Sequence, residues 1–177
     1  MNLFDNIDYL KNGDESQQQA LSVLKDNRIL EKLHGFTPVL AGTIPLNINI
    51  DNSDLDILCY WDNQQYFINA LRDNFEKYDS FTLQQVVINN IETVLVNFWC
   101  DGFEVEVFGQ NIPVKEQMGY LHMIAEYGIL KHFGKDFRQQ IIGLKKEGYK
   151  TEPAFAKLLN LEGNPYIALL EYKLNPG

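Results

Sequence analysis

The sequence predicts a mixed α/β (α+β) fold: a mixed sheet of about five strands, helices packed on it, and a helical C-terminal third. Short apolar runs of strand length recur between Phe36 and Phe108. Two-residue hairpin signals, Asn89-Asn90 and Asp101-Gly102, separate the last three of those runs. Beyond Gly109 the apolar spacing changes to the 3.6-residue period of helices. A chain of 177 residues fits one domain, with a core over 1–110 and a helical layer over 111–177 packed on it.

Composition narrows the function classes. With 45% apolar residues, 11 Phe and 9 Tyr, the chain can bury a sizeable core, which argues against global disorder. A net charge of −9 argues against a nucleic-acid polymer as the main ligand, because phosphate backbones select basic faces. A small anion carried with cations remains compatible. No apolar run approaches the ~20 residues of a membrane span, and the N-terminus lacks a basic region followed by an apolar one. The expectation is a soluble, cytoplasmic protein in which Cys59 and Cys100 are buried, reduced thiols.

In chain order, Asp5 to Leu10 suits one helical turn, and Asp14 or Ser16 can cap a helix from Gln17 to Lys25. Ile29, Leu30 and Leu33 continue its stripe after the KDNR interruption, and Gly35 is placed to stop it. A strand over 36–41, a turn at Gly42-Thr43, a polar loop and a strand over 53–60 follow. Asp62 with Gln65 reads as a capping box for a helix bearing Phe67, Ala70, Leu71 and Phe75. Strands are expected over 81–88, 91–100 and 103–108, joined by the two hairpin turns. The C-terminal third offers a segment from Pro113 up to Gly134, a helix over about 137–146, and starts at Thr151-Glu152-Pro153 and Asn164-Pro165.

The chemistry concentrates around Gly42 and the strand over 53–60. Period-two geometry puts Asp54 and Asp56 on one strand face and Leu55 and Ile57 on the other. Two carboxylates about 7 Å apart repel unless something positive lies between them, and a divalent cation with oxygen ligands is the usual solution. Gly42 permits close backbone approach to a phosphate, and Thr43 adds a hydroxyl and an amide. Glu104 and Glu106 share one face of the strand over 103–108, and either supplies a third carboxylate. A D-x-D pair alone is a weak signal, more often a solvated strand face than a metal site.

The run Ala41-Gly42-Thr43, then Ser53-Asp54-Leu55-Asp56-Ile57, resembles the nucleotidyltransferase superfamily related to DNA polymerase beta. More closely, GTIPLNINIDNSDLDI, EVEVFGQNIPVKEQMGYLHM and LKKEGYKTEPAFAKLL resemble a bacterial family of unknown function assigned to that superfamily, a likeness covering about residues 36–170. It implies a nucleotidyltransferase-like fold and an Mg²⁺ (or Mn²⁺) site at Asp54, Asp56 and Glu106, with Glu104 as the alternative third acid. It also implies a nucleotide site at Gly42, Thr43 and Ser53, and transfer of a nucleotidyl group from a nucleoside triphosphate to a hydroxyl of an unknown acceptor. Thr43 stands where Ser is usual and Glu106 where Asp is more frequent. The competing expectation is a non-catalytic, antitoxin-like regulator that binds nucleotide or protein, and hydrolysis at the same carboxylates is a third.

Glu104, on the third acidic strand, and Gln110, Lys115 and His122, which follow it, are candidates for the rim of a cleft. His122 and Glu126, four apart, could share a ligand, but a helix-surface pair is the simpler reading. Lys131, Lys135, Arg138, Lys145 and Lys146 form the densest basic region, with nothing to say which of them would face a triphosphate. His34 and His132 have no metal-ligand spacing around them, and no Walker loop, dinucleotide fingerprint, nucleophile elbow or paired C-x-x-C is present.

Overall fold

Alternation along the central strands decides the architecture. The computed structural model describes residues 3–174. Its strands are β1 (Val39–Ala41), β2 (Leu55–Tyr60), β3 (Asp79–Ile88), β4 (Ile91–Cys100) and β5 (Phe103–Gln110). They form one mixed sheet in the order β1-β2-β5-β4-β3, in which β2 and β5 are parallel and the other neighbours antiparallel. Asn89 and Asn90 (φ 52° and 65°) and Asp101 and Gly102 (φ 45° and 89°) take the left-handed conformations that tight hairpins require.

Leu55, Ile57, Val94, Val96, Phe98, Val105 and Val107 point to one face. There they pack against α1 (Glu15–Asp26), α2 (Ile29–Lys32) and α4 (Gln64–Phe75), through Ala20, Leu24, Ile29, Phe67, Leu71 and Phe75. A Cβ on Gly109 would collide with the Phe67 ring, so that glycine sets how closely α4 approaches β5. The opposite face carries Asp56, Leu58, Glu106 and Phe108. The helices α5 (Met118–Lys146), α6 (Thr151–Leu158) and α7 (Pro165–Glu171) build a second apolar cluster with Leu58, through Met123, Ile129, Leu130, Ile141, Phe155 and Leu169. Gly134, at φ +78°, is a non-helical residue inside α5 and kinks it.

Several local expectations need correction. The strand expected over 36–41 is only Val39–Ala41, because Phe36 closes a 3₁₀ turn, Thr37 is left-handed (φ 48°) and Pro38 has no N–H for a ladder. That left-handed Thr37, rather than Gly35, redirects the chain there. The loop after Gly42 contains a short helix, α3 (Thr43–Leu46), ended by Asn47 at φ 54°. The strand expected from Ser53 starts at Leu55, since Ser53 is held in a turn: Ile50 N donates to its Oγ at 3.0 Å, and its own N–H donates to Ile50 O at 3.1 Å. Asn63 caps α4 by accepting from Tyr66 N, while Gln65 donates to Asn69. Thr151 lies inside α6, with Lys150 at the cap position. Asp14 and Asn164 cap α1 and α7 as expected, and Cys59 and Cys100 are free, buried thiols. No described helix is long and apolar enough to cross a membrane.

Candidate functional site

Strand register brings the acids together. Asp56 on β2 is the register partner of Glu106 on the parallel strand β5, and of Ala41 on the antiparallel strand β1. Neighbouring strands run about 4.8 Å apart, so the two carboxylates leave adjacent strands side by side. Asp54 stands just before β2 on the same face. Gly42 follows Ala41 at φ +72°, and a Cβ there would fall inside the Asp56 carboxylate. The glycine is therefore demanded twice, by its backbone conformation and by the acid packed over it.

These residues open on a cavity of about 980 Å³ between the sheet and the C-terminal helices. Gly42, Thr43, Ser53, Asp54, Asp56 and Glu106 line one side, and His122, Glu126, Lys145, Lys150, Glu152 and Tyr166 line the other. Glu104 shares the face of Glu106 but lies outside the lining. Asn97 donates to both, at 3.3 Å to Glu104 and 3.4 Å to Glu106. Two other expected rim residues are elsewhere. Gln110 is buried in the sheet and donates to Thr93 Oγ1 at 2.8 Å, and Lys115 pairs with Asp5 at 2.7 Å. His122 does line the cavity, and with Glu126 it is buried (7% and 4% exposed) rather than forming a surface pair.

Charge accumulates in this space. Burial, reinforced by Asp54 and Glu106, pushes the Asp56 carboxyl up to about 8. Burial also raises Glu106, with the Asn97 hydrogen bond opposing and Asp54 and Glu104 adding to the shift. Glu126 is held well above the ordinary carboxylate range by burial and by Glu152. Lys145 is the countercharge: burial lowers it to about 8, against the pull of Glu126, Asp54, Asp56 and Glu152. Its ammonium donates to Ile48 O at 2.8 Å. Of the five basic residues singled out in the sequence, Lys145 alone lines this cavity.

The donor chemistry suits a hard divalent cation, since all three facing acids offer carboxylate oxygens and their mutual repulsion is what such a charge would relieve. The side chains are not drawn together, however. Among the described residues, no group of three or more His, Cys, Asp or Glu is gathered closely enough to hold a metal ion. Binding would therefore require carboxylate rotamers to close in. Sequence reasoning missed Lys145, Glu126 and Glu152 as members of one cavity. The one available signal was the i, i+4 spacing of His122 and Glu126.

Comparison with solved structures yields the same fold at low identity. Cid1 poly(U) polymerase with MgGTP bound is similar at TM-score 0.54 and 10% identity, over 78% of this chain and 46% of that one. The GLD-2/RNP-8 complex gives 0.56 and 13%, over 86% and 60%. A Cid1 mutant bound to MgATP gives 0.53 and 11%, over 92% and 53%. The chain thus spans roughly half the length of the chains it resembles, and the likeness shows a nucleotidyltransferase-like fold. No curated protein matches the chain. The pattern of one family matches residues 22–172, and the chain accordingly belongs to the DUF4269 family, a domain of unknown function.

Proposed function

We propose that the protein transfers a nucleotidyl group from a nucleoside triphosphate to a hydroxyl of an acceptor, in the cavity bounded by Asp54, Asp56, Glu106 and Lys145. The observation that carries this reading is the pairing of Asp56 with Glu106 on parallel strands, packed over the Gly42 bend and facing a buried lysine. The acceptor oxygen would attack the α-phosphorus, the bond from that phosphorus to the β-bridging oxygen would break, and pyrophosphate would leave. Glu106, its basicity raised by burial, is suited to take the hydroxyl proton. Lys145 would draw the triphosphate toward the acids, and the Gly42-Thr43 backbone would hold its oxygens. Mg²⁺ or Mn²⁺, held by Asp54, Asp56 and Glu106, would supply the charge neutralisation that lets a triphosphate approach three carboxylates. Structures of similar fold include chains with MgGTP, MgATP and a UTP analogue bound, which supports the same ligand class here.

The test is incubation of the full chain with α-³²P-labelled triphosphates, Mg²⁺ or Mn²⁺, and an extract of small molecules and proteins. Label passing to an acceptor with release of pyrophosphate is the expected outcome. Metal-dependent nucleotide binding without transfer would instead identify a binding protein, and labelled nucleoside mono- or diphosphate formed without an acceptor a hydrolase.

A further inference from the structure

The cavity wall facing the Asp54–Asp56–Glu106 side carries two acids of its own, Glu126 and Glu152, beside Lys145 and Lys150. Glu126 is only 4% exposed and lines the cavity, with no hydrogen bond or ion pair to its carboxylate among the described residues. Lys145, which attracts it electrostatically, directs its hydrogen bond to Ile48 O. Glu152, in the first turn of α6, adds a second carboxylate to the same wall. His122 does not neutralise the pair by hydrogen bonding. Its Nε2 lies 2.9 Å from Tyr166 O, and since a carbonyl only accepts, that nitrogen is the donor. Its Nδ1 stands 3.9 Å from Glu152, beyond hydrogen-bond range.

A buried carboxylate without a hydrogen bond is costly, so Glu126, with the partly exposed Glu152 near it, suits a partner that brings donors and positive charge. A phosphate would be repelled. A nucleobase could donate to Glu126 but, being neutral, would bring no charge to offset Glu152. We infer that Glu126 and Glu152 form a subsite for an ammonium group, and that the acceptor is a small hydroxyl compound carrying a protonated amine. This deepens the nucleotidyl-transfer reading and rests on it for the word acceptor. The subsite itself can be tested without nucleotide. Two further facts agree with it: the net charge of −9 steers cations toward the chain, and 980 Å³ lies near the upper end of the roughly 300–1,000 Å³ of small-molecule sites, room for a nucleotide and a second small ligand.

Glucosamine and glucose differ at one position, amine against hydroxyl, and serve as the probe pair. Binding of each to the full chain, measured by ligand-detected NMR without nucleotide, should favour glucosamine about tenfold, the scale of one charged hydrogen bond. Glu126→Gln should reduce that preference to near equality, and Glu152→Gln, on a partly exposed side chain, should weaken it if the first variant fails to fold. MgATP and MgGTP affinities, measured separately, should be unchanged in both variants. Equal or undetectable binding of the two sugars by the unaltered chain overturns the inference. So does a change of nucleotide preference in Glu126→Gln, which would make Glu126 a base reader, or label transfer to an oligoribonucleotide in preference to glucosamine. Loss of nucleotide binding with amine preference intact would instead count against the transfer reading alone.

Discussion

The two walls of the cavity both carry carboxylates, yet they are encoded in different ways. On the sheet side, Asp54 just before β2, Asp56 on it and Glu106 on β5 share one face, and parallel pairing of β2 with β5 makes Asp56 and Glu106 neighbours. On the helical side, His122 and Glu126 come from the first half of α5, Lys145 from beyond the Gly134 kink, and Glu152 from α6. The first group is assembled by local periodicity plus one strand pairing. The second exists only once α5, bent at Gly134, has packed with α6. A face of carboxylates can thus be written into short motifs, whereas the make-up of the facing wall depends on tertiary contacts that no short motif records.

The sharpest way to separate the walls is to remove the charge of the first. Asp54→Asn combined with Asp56→Asn should abolish metal-dependent nucleotide binding and reduce label transfer by about a thousandfold or more, with the fold intact by circular dichroism. Nucleotide affinity unchanged by calorimetry would move the chemistry away from the sheet. Gly42→Ala acts on the same wall through its backbone. A φ of +72° costs a non-glycine residue about 1–2 kcal/mol, and the added Cβ must displace the Asp56 carboxylate. Metal and nucleotide affinity should therefore fall further, relative to the wild type, than thermal stability does. Equal loss of both would mean that the glycine serves only the turn.

The same contrast explains what the sequence made legible. The mixed sheet, both hairpins and the D-x-D face follow from period-two alternation and turn chemistry, which act over a few residues. Glu104 and Glu106 were indistinguishable because alternation gives both the same face; only the position of the cavity separates them. Lys115 looked like a rim residue by its place after β5, but the chain turns through Val114–Glu116 and the ammonium meets Asp5 from the other end of the sequence. Lys145 was hidden among basic neighbours, since helical spacing alone cannot tell which lysine will be covered when α5 bends at Gly134.

Lys145 links the two walls, so its removal probes both. Lys145→Met keeps the length and apolar stem while deleting a buried cation that the carboxylates share. Nucleotide affinity should drop by about ten- to a hundredfold, and the pH dependence of metal binding should move upward as the acids lose their countercharge. An unchanged affinity would place the triphosphate against Lys150 or the Gly42 backbone instead.

A smaller effect is expected in stability against pH. Asp56, Glu106 and Glu126 have folded pKa values raised above their unfolded ones, so the native state binds more protons than the unfolded chain. Their penalty is absent below the unfolded values, near 4, and grows as pH rises toward about 8, the folded value of Asp56. Lys145, lowered to about 8, has the opposite sign but acts only above that value. Metal-free Tm should therefore fall by a few degrees between pH 5 and 8. Added Mg²⁺ or Mn²⁺ should restore it at pH 8 and do little at pH 5. A flat profile, or equal metal stabilisation at both values, would show that the acids are already neutralised within the fold.

The smallest effect belongs to Lys115, which separates residues near the site in sequence from residues in it. Its ammonium is exposed and pairs with Asp5 at 2.7 Å, outside the cavity lining. Exposed pairs of this kind are screened by solvent and contribute little. Lys115→Ala should leave label transfer unchanged and Tm within about one degree of the unaltered protein. A clear loss of transfer would mean that the segment from Val114 to Glu116 moves toward the nucleotide during turnover. The cavity wall would then extend past the helices that now define it.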